Sequence, residues 1–181
     1  MKEEIIIAGF GGQGVMSMGQ ILTYAGMKEG KEVSWLPSYG PEQRGGTANV
    51  SVVISDKTVG SPIIDSPSTV IVLNNPSFEK FEPLVKAGGK LFINSDLVTK
   101  KSERIDIEVI DIKATSIADK VGNPRVAGSV ILGAYIEKTG IITRDSLITA
   151  LIQVLGVGKN HLISVNEAAF DAGKNILLEN V

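Results

Sequence analysis

Apolar positions along this chain follow two rhythms, short β-branched runs and longer stretches at helical spacing, and the two alternate. Glu4 to Ala8 is a β-branched run that ends in glycines, and Gln13 to Glu29 then carries Val15, Met16, Ile21, Leu22, Ala25 and Met27 at helical spacing. The expected order is strand, glycine turn, helix. Gly30 is placed as a C-cap, and Glu32 to Leu36 reads as a second strand broken by Pro37, which completes a first βαβ unit. Thr47 to Ser55 reads as another strand, and Val59 to Ile64, bounded by Gly60 and Pro62, as a short extended piece forming a hairpin with it beside the parallel sheet. Ser68 to Leu73 is a buried type of strand, Ser77 to Val85 is helical, and Lys90 to Asn94 is the next strand after Gly88-Gly89.

Ile105 to Ile112 alternates apolar and acidic residues, as a half-exposed strand near a sheet edge does. From Lys113 the rhythm is helical. Segments 115–121, 125–138, 143–155 and 161–178 are separated by Gly122-Asn123-Pro124, by Gly140 and by Gly156 to Gly158. Interleaved strands and helices imply an α/β fold with a doubly wound, mostly parallel sheet, because a right-handed crossover helix packs back onto its sheet. The helical C-terminal region is expected to cover that sheet. No internal repeat or low-complexity linker interrupts the 181 residues, so a single domain over 1–181 is expected.

Composition removes several classes of function. The chain has no cysteine, so disulfides, thiolate nucleophiles and cysteine-ligated zinc or iron–sulfur centres cannot form within it. A formal net charge of −2 offers no basic footprint for nucleic acid. The first residues, MKEEIIIAGFGG, lack the basic start and long apolar run of a secretory signal, and no stretch reaches membrane-spanning length. A cytoplasmic location with no membrane partner is the expectation.

Two segments carry candidate chemistry. Gly9-Phe10-Gly11-Gly12-Gln13-Gly14 contains G-x-G-x-x-G between a strand and a helix, where glycine permits positive φ, close approach of a phosphate and tight helix–strand packing. The helix N-terminus that follows presents unpaired N–H groups to an anion. A tight turn without ligand is the alternative. An NAD site would also place a carboxylate roughly 20 residues on, at the end of the second strand. Trp35-Leu36-Pro37-Ser38 stands there instead, with neither that carboxylate nor an arginine for a 2′-phosphate, and the chain has no P-loop motif. The second segment, Ser38-Tyr39-Gly40-Pro41-Glu42-Gln43-Arg44-Gly45-Gly46-Thr47-Ala48, presents a carboxylate, an amide and a guanidinium between two glycine turns. Arg44 suits a bidentate carboxylate or phosphate contact, unless it pairs locally with Glu42 in a solvated turn.

Other residues offer less. His161, the only histidine, stands near a helix start without partners for a metal site or triad. Asp65, Asp96, Asp106, Glu108 and Asp111 are scattered over strand ends and an edge strand and form no acid/base pair. Trp35 and Tyr39 bracket the expected crevice, as ligand platforms, interface anchors or core.

GFGGQGV, SYGPEQRGGTANVSVV and the later NPRVAGSVILGAY together resemble the gamma subunit of 2-oxoacid:ferredoxin oxidoreductases, and the resemblance extends over nearly the whole chain. It implies a non-autonomous subunit of an oligomeric enzyme that converts a 2-oxoacid and coenzyme A to acyl-CoA and carbon dioxide while reducing ferredoxin. Alpha, beta and ferredoxin-like delta subunits are the implied partners. Thiamine diphosphate, Mg2+ and the iron–sulfur clusters are implied to sit on those partners, and this chain to contribute to coenzyme A access and subunit packing. By carry-over, Gly11, Gly12, Gln13 and Gly14, with Ser38, Tyr39, Arg44, Gly45, Gly46 and Thr47, would face that region. The wording of the second motif is closer to 2-oxoglutarate or branched-chain versions than to pyruvate ones. Two other readings stand beside it, a free-standing Rossmann-like nucleotide-dependent oxidoreductase and a non-catalytic interaction module.

Overall fold

The computed structural model describes residues 1–41 and 46–179. Six strands, β1 (Lys2–Phe10), β2 (Glu32–Tyr39), β3 (Thr47–Ser55), β4 (Thr69–Val72), β5 (Lys90–Asn94) and β6 (Glu108–Ile112), form one sheet in the order β2-β3-β1-β4-β5-β6. The helices are α1 (Val15–Lys28), α2 (Asn75–Phe81), α3 (Ala114–Val121), α4 (Ala127–Thr139), α5 (Arg144–Leu155) and α6 (Ile163–Glu179). Single turns of 3-10 helix follow α2 at Glu82–Leu84 and precede α4 and α6 at Pro124–Val126 and Asn160–Leu162. No described helix is long and apolar enough to cross a membrane.

The pairings β1–β4, β4–β5 and β5–β6 are parallel, whereas β3 runs antiparallel to both β1 and β2. The sheet is therefore mixed, with five strands pointing one way and β3 the other. This corrects two expectations. Val59 to Ile64 is not a strand, and β3 makes its hairpin with β2. The expected βαβ unit of β1, α1 and β2 exists in direction, but β3 lies between its two strands. Gly60 and Pro62 break the 59–64 segment, yet Val59 and Ile64 still pack on the sheet, so their apolar character reflects burial rather than pairing.

Side chains alternate across the strands and build two cores. Ile5, Ile7, Val50, Val52, Ile54, Ile71 and Phe92 face α1 and the C-terminal helices. Ile6, Ala8, Val53, Val70, Val72, Leu91 and Ile93 face α2 and the segments flanking it. The crossover from β1 leads outward on the first face and that from β4 outward on the second, as right-handed connections running in opposite directions must. The strand order thus reverses between β1 and β4, and their carboxyl ends open a crevice there.

α6 packs on α4, which itself lies against β5. A Cβ on Gly133 would stand 2.0 Å from the Phe170 carbonyl oxygen, and one on Gly173 would stand 1.8 Å from that of Val130, so only hydrogen fits at this crossing. Helix ends follow local signals: Asn74 Oδ1 accepts the Ser77 N–H at 2.8 Å to cap α2, and Gly30, Gly122 and Gly140 take positive φ at helix ends. The alternating segment expected to begin at Ile105 becomes a strand only at Glu108, and it is the edge strand it was read to be.

Candidate functional site

The glycine turn joins β1 to α1. Its Gln13 N–H closes on the Phe10 carbonyl at 3.1 Å, and Gly12 and Gly14 take φ of 95° and 82°. Such values strain any residue bearing a Cβ. Gly9 serves another purpose, since a Cβ there would lie 2.6 Å from Gln13 Oε1 and 3.0 Å from Leu73 Cβ. Close packing of α1 on the sheet rests on Gly19, whose Cβ would meet Val50 at 2.7 Å.

Gly14 is the N-cap of α1, and no side chain caps this helix end. The first intrahelical bond runs from Met18 N–H to the Gly14 carbonyl at 2.9 Å, which leaves the N–H groups of Val15, Met16 and Ser17 ahead of it. With no acidic residue in the first turn, their partial positive charge is not offset from within the helix.

The two turns singled out in the sequence meet in space. Gly11 N–H donates to the Gly46 carbonyl at 3.0 Å, and Gly40 N–H donates to the Thr47 carbonyl at 2.7 Å to close the β2–β3 hairpin. Because β3 is antiparallel, its first residues lie beside the last residues of β1, with Thr47 opposite Phe10. A groove of about 360 Å³ runs between the turns, lined by Gly11, Gly12, Gly14, Tyr39, Gly46 and Thr47 among others. Tyr39 stands at its side with 68% of its surface exposed. Ser38 is exposed and outside that lining. Arg44 and Gly45 lie outside the described residues.

Gln13 faces elsewhere. Its Oε1 accepts the Phe10 N–H at 2.6 Å, and its Nε2 donates to the Leu73 carbonyl at 3.1 Å. The side chain therefore ties the carboxyl end of β1 to that of β4 across the point where strand order reverses. Beyond it lies a second cavity, of about 310 Å³, lined by Gly12, Gln13, Leu73, Asn94, Thr115 and Arg125 among others. Asn94, 2% exposed, donates to Thr115 Oγ1 at 3.0 Å.

Sequence reasoning missed Arg125, which lines this cavity together with the glycine turn although it lies more than a hundred residues along the chain. Asn123 Oδ1 holds the Arg125 N–H at 3.0 Å, while the guanidinium has no ion-pair partner among the described residues. A signal was present: a basic residue just before α4 opposes the dipole of that helix, so helix stability does not account for it.

The remaining candidates have structural settings. Trp35 packs beside Gly19 of α1, away from the groove, with its buried Nε1 lacking a partner. Asp96 accepts the Ser116 N–H at 2.7 Å and the Ser116 hydroxyl at 2.8 Å at the start of α3. Asp106 pairs with Arg104, which holds its carboxyl below the usual range, and Asp111 and Glu108 pair with Lys101 and Lys138. His161 is exposed in the turn before α6. Among the described residues no three His, Asp or Glu side chains converge as a metal site would require.

A doubly wound α/β domain with an uncapped helix N-terminus at its switch point, joined by the tip of an inserted hairpin, is the class that fold and site define. The model of the pyruvate ferredoxin/flavodoxin oxidoreductase family matches residues 4–176. The chain belongs to that family. It is 38% identical over 175 residues to ketoisovalerate oxidoreductase subunit VorA of Methanothermobacter thermautotrophicus, covering 97% of this chain and 36% of that relative. It thus spans about a third of the length of that relative. With 2-oxoglutarate synthase subunit KorC of Methanocaldococcus jannaschii it shares 34% identity over 182 residues, which is 99% of this chain and 96% of the relative. The crystal structure of the keto/oxoacid ferredoxin oxidoreductase gamma subunit from Geobacter sulfurreducens superposes with a TM-score of 0.82 at 31% identity, covering 98% and 99% of the two chains. The end-to-end matches to KorC and to the gamma subunit do not favour a free-standing nucleotide-dependent enzyme.

Proposed function

We propose that this chain is the gamma subunit of a cytoplasmic, thiamine-diphosphate-dependent 2-oxoacid:ferredoxin oxidoreductase, assembled with alpha, beta and delta subunits. Its part is to bind the phosphates of coenzyme A and to complete the surface on which the thiamine-bearing subunits pack. The observation that carries this reading is the meeting of the two glycine turns, which sets the N–H groups of Val15, Met16 and Ser17 beside one groove. A diphosphate suits such a groove: the backbone supplies donors, glycines allow close approach, and no described acidic side chain lines it.

The donor set of this chain does not fit a redox centre. With no cysteine it cannot hold an iron–sulfur cluster through thiolates, and no described cluster of acids and histidine suits Mg2+. Electron transfer and decarboxylation are therefore assigned to partner chains. A 2-oxoglutarate or branched-chain substrate is preferred to pyruvate, in keeping with the names of the two relatives.

Charge at the turn is the discriminating test. Gly12 has positive φ and open space around a would-be Cβ, and Asn and Asp tolerate that conformation best among residues with side chains. In the assembled enzyme, Gly12→Asp is expected to raise the KM for coenzyme A by about tenfold or more over Gly12→Asn, since the two differ by one negative charge at the helix N-terminus. Arg44→Ala is expected to raise it similarly. If coenzyme A saturates all three variants as it does the parent, the role assigned to this groove is wrong.

A further inference from the structure

A cleft of about 300 Å³ separates α1 from the C-terminal helices on the far side of Gly14. Most of its wall is apolar, with Met18 and Ile21 from α1, Leu132 from α4, and Leu151, Val154 and Leu155 from α5, while Ser17 and Asn123 add polar groups. Gly128 keeps it open, since a Cβ there would already lie 3.0 Å from the Met18 side chain. At its inner end the buried Ser129 hydroxyl donates to Asn166 Oδ1 at 2.5 Å, and Asn166 Nδ2 donates to the Leu162 carbonyl at 2.7 Å, so the polar pair there is satisfied internally.

The rim has the opposite character. Arg125 and Lys159 both line the cleft and both are exposed, and neither has a carboxylate partner among the described residues. Elsewhere the described arginines are neutralised in place: Arg104 makes a two-pronged contact with Asp106, and Arg144 does so with Asp171 at 2.7 and 2.8 Å. Arg125 is the exception, and it stands where an apolar cavity opens.

We infer that this cleft binds a small organic anion with an apolar body, an aliphatic carboxylate whose head group is held by Arg125 and Lys159 and whose chain enters between α1, α4 and α5. The guanidinium fork matches a carboxylate, and burying a hydrocarbon tail against the apolar side chains of the wall is favourable. The volume lies at the lower end of the range for ligand pockets, which limits the tail to a short chain. This inference does not rest on the coenzyme A groove, which opens on the hairpin side of the glycine turn.

Calorimetric titration of the full chain with hexanoate, acetate and inorganic phosphate tests it. Hexanoate is expected to bind at least about tenfold more tightly than acetate, because its extra methylenes leave water. Arg125→Gln is expected to weaken hexanoate by about tenfold with an unchanged melting temperature, because the residue is exposed. Val154→Glu, which sets a carboxylate in the wall, is expected to abolish binding. Equal affinity for hexanoate and acetate, phosphate binding as tight as hexanoate, or wild-type hexanoate affinity in a folded Arg125→Gln chain would each overturn the inference.

Discussion

At the scale of single residues, Gln13 changes meaning between sequence and structure. Its place inside the glycine motif suggested a ligand contact, yet both of its amide atoms are engaged by the backbones of β1 and β4. Gln13→Glu removes the donor to Leu73 and sets a carboxylate against that carbonyl, which costs about 1–3 kcal/mol when a partly buried acceptor loses its partner. Thermal unfolding is expected to show this as a fall of several degrees. Glu29 is a second residue whose role is set by distant chain. Burial alone would raise its pKa, but the N–H and hydroxyl of Thr143, at 2.6 and 2.8 Å, outweigh burial and lower it. A depressed folded pKa contributes stability that is present above the unfolded value and lost as pH falls through the folded one. The melting temperature of Glu29→Gln is thus expected to vary less than that of the parent between about pH 5 and pH 3. The glycines of the turn were legible because positive φ leaves a compositional mark. Arg125 left only the weak mark of a basic residue at the wrong end of a helix, and nothing local says that two segments a hundred residues apart will line one cavity.

Among the elements, β4, β5 and all six helices fall close to where periodicity and end signals put them, because caps and breakers act within a few residues. The antiparallel insertion of β3 was not legible. Alternation in TANVSVVIS fixes a strand and its two faces but says nothing about its neighbours, and the short 59–64 segment offered a nearer partner. The crossing of α4 and α6 is likewise silent in sequence, where Gly133 and Gly173 read as poor helix formers. Their value is close approach. Gly173→Ala is expected to destabilise the chain by about 3 kcal/mol, since the added carbon overlaps a backbone oxygen that has no rotamer to adopt. Combined with Gly133→Ala, the loss in denaturant titration is expected to fall short of the sum, because once the helices part both methyl groups gain room.

At the level of the whole molecule, the two faces of the sheet are unequally dressed, and the site occupies the one edge where both turns, α1 and the α4 end can meet. The absence of cysteine, and of convergent metal ligands among the described residues, accords with the supporting role proposed above. Under the proposed subunit role, the purified chain is expected to reduce no ferredoxin with any 2-oxoacid, and activity is expected only when it is combined with the other subunits that role requires. Turnover by the chain alone, followed by the visible absorbance of ferredoxin, would contradict the subunit reading.

The reversed course of β3 carries a consequence for how such proteins can diverge. Strands β2 and β3 make a two-stranded ribbon whose β3 side is paired residue by residue to β1, so pairs of residues added to or removed from these two strands would shift the end of the ribbon along its axis while the hydrophobic layers beneath stay in register. The length of this ribbon can thereby change without rebuilding the domain that carries it.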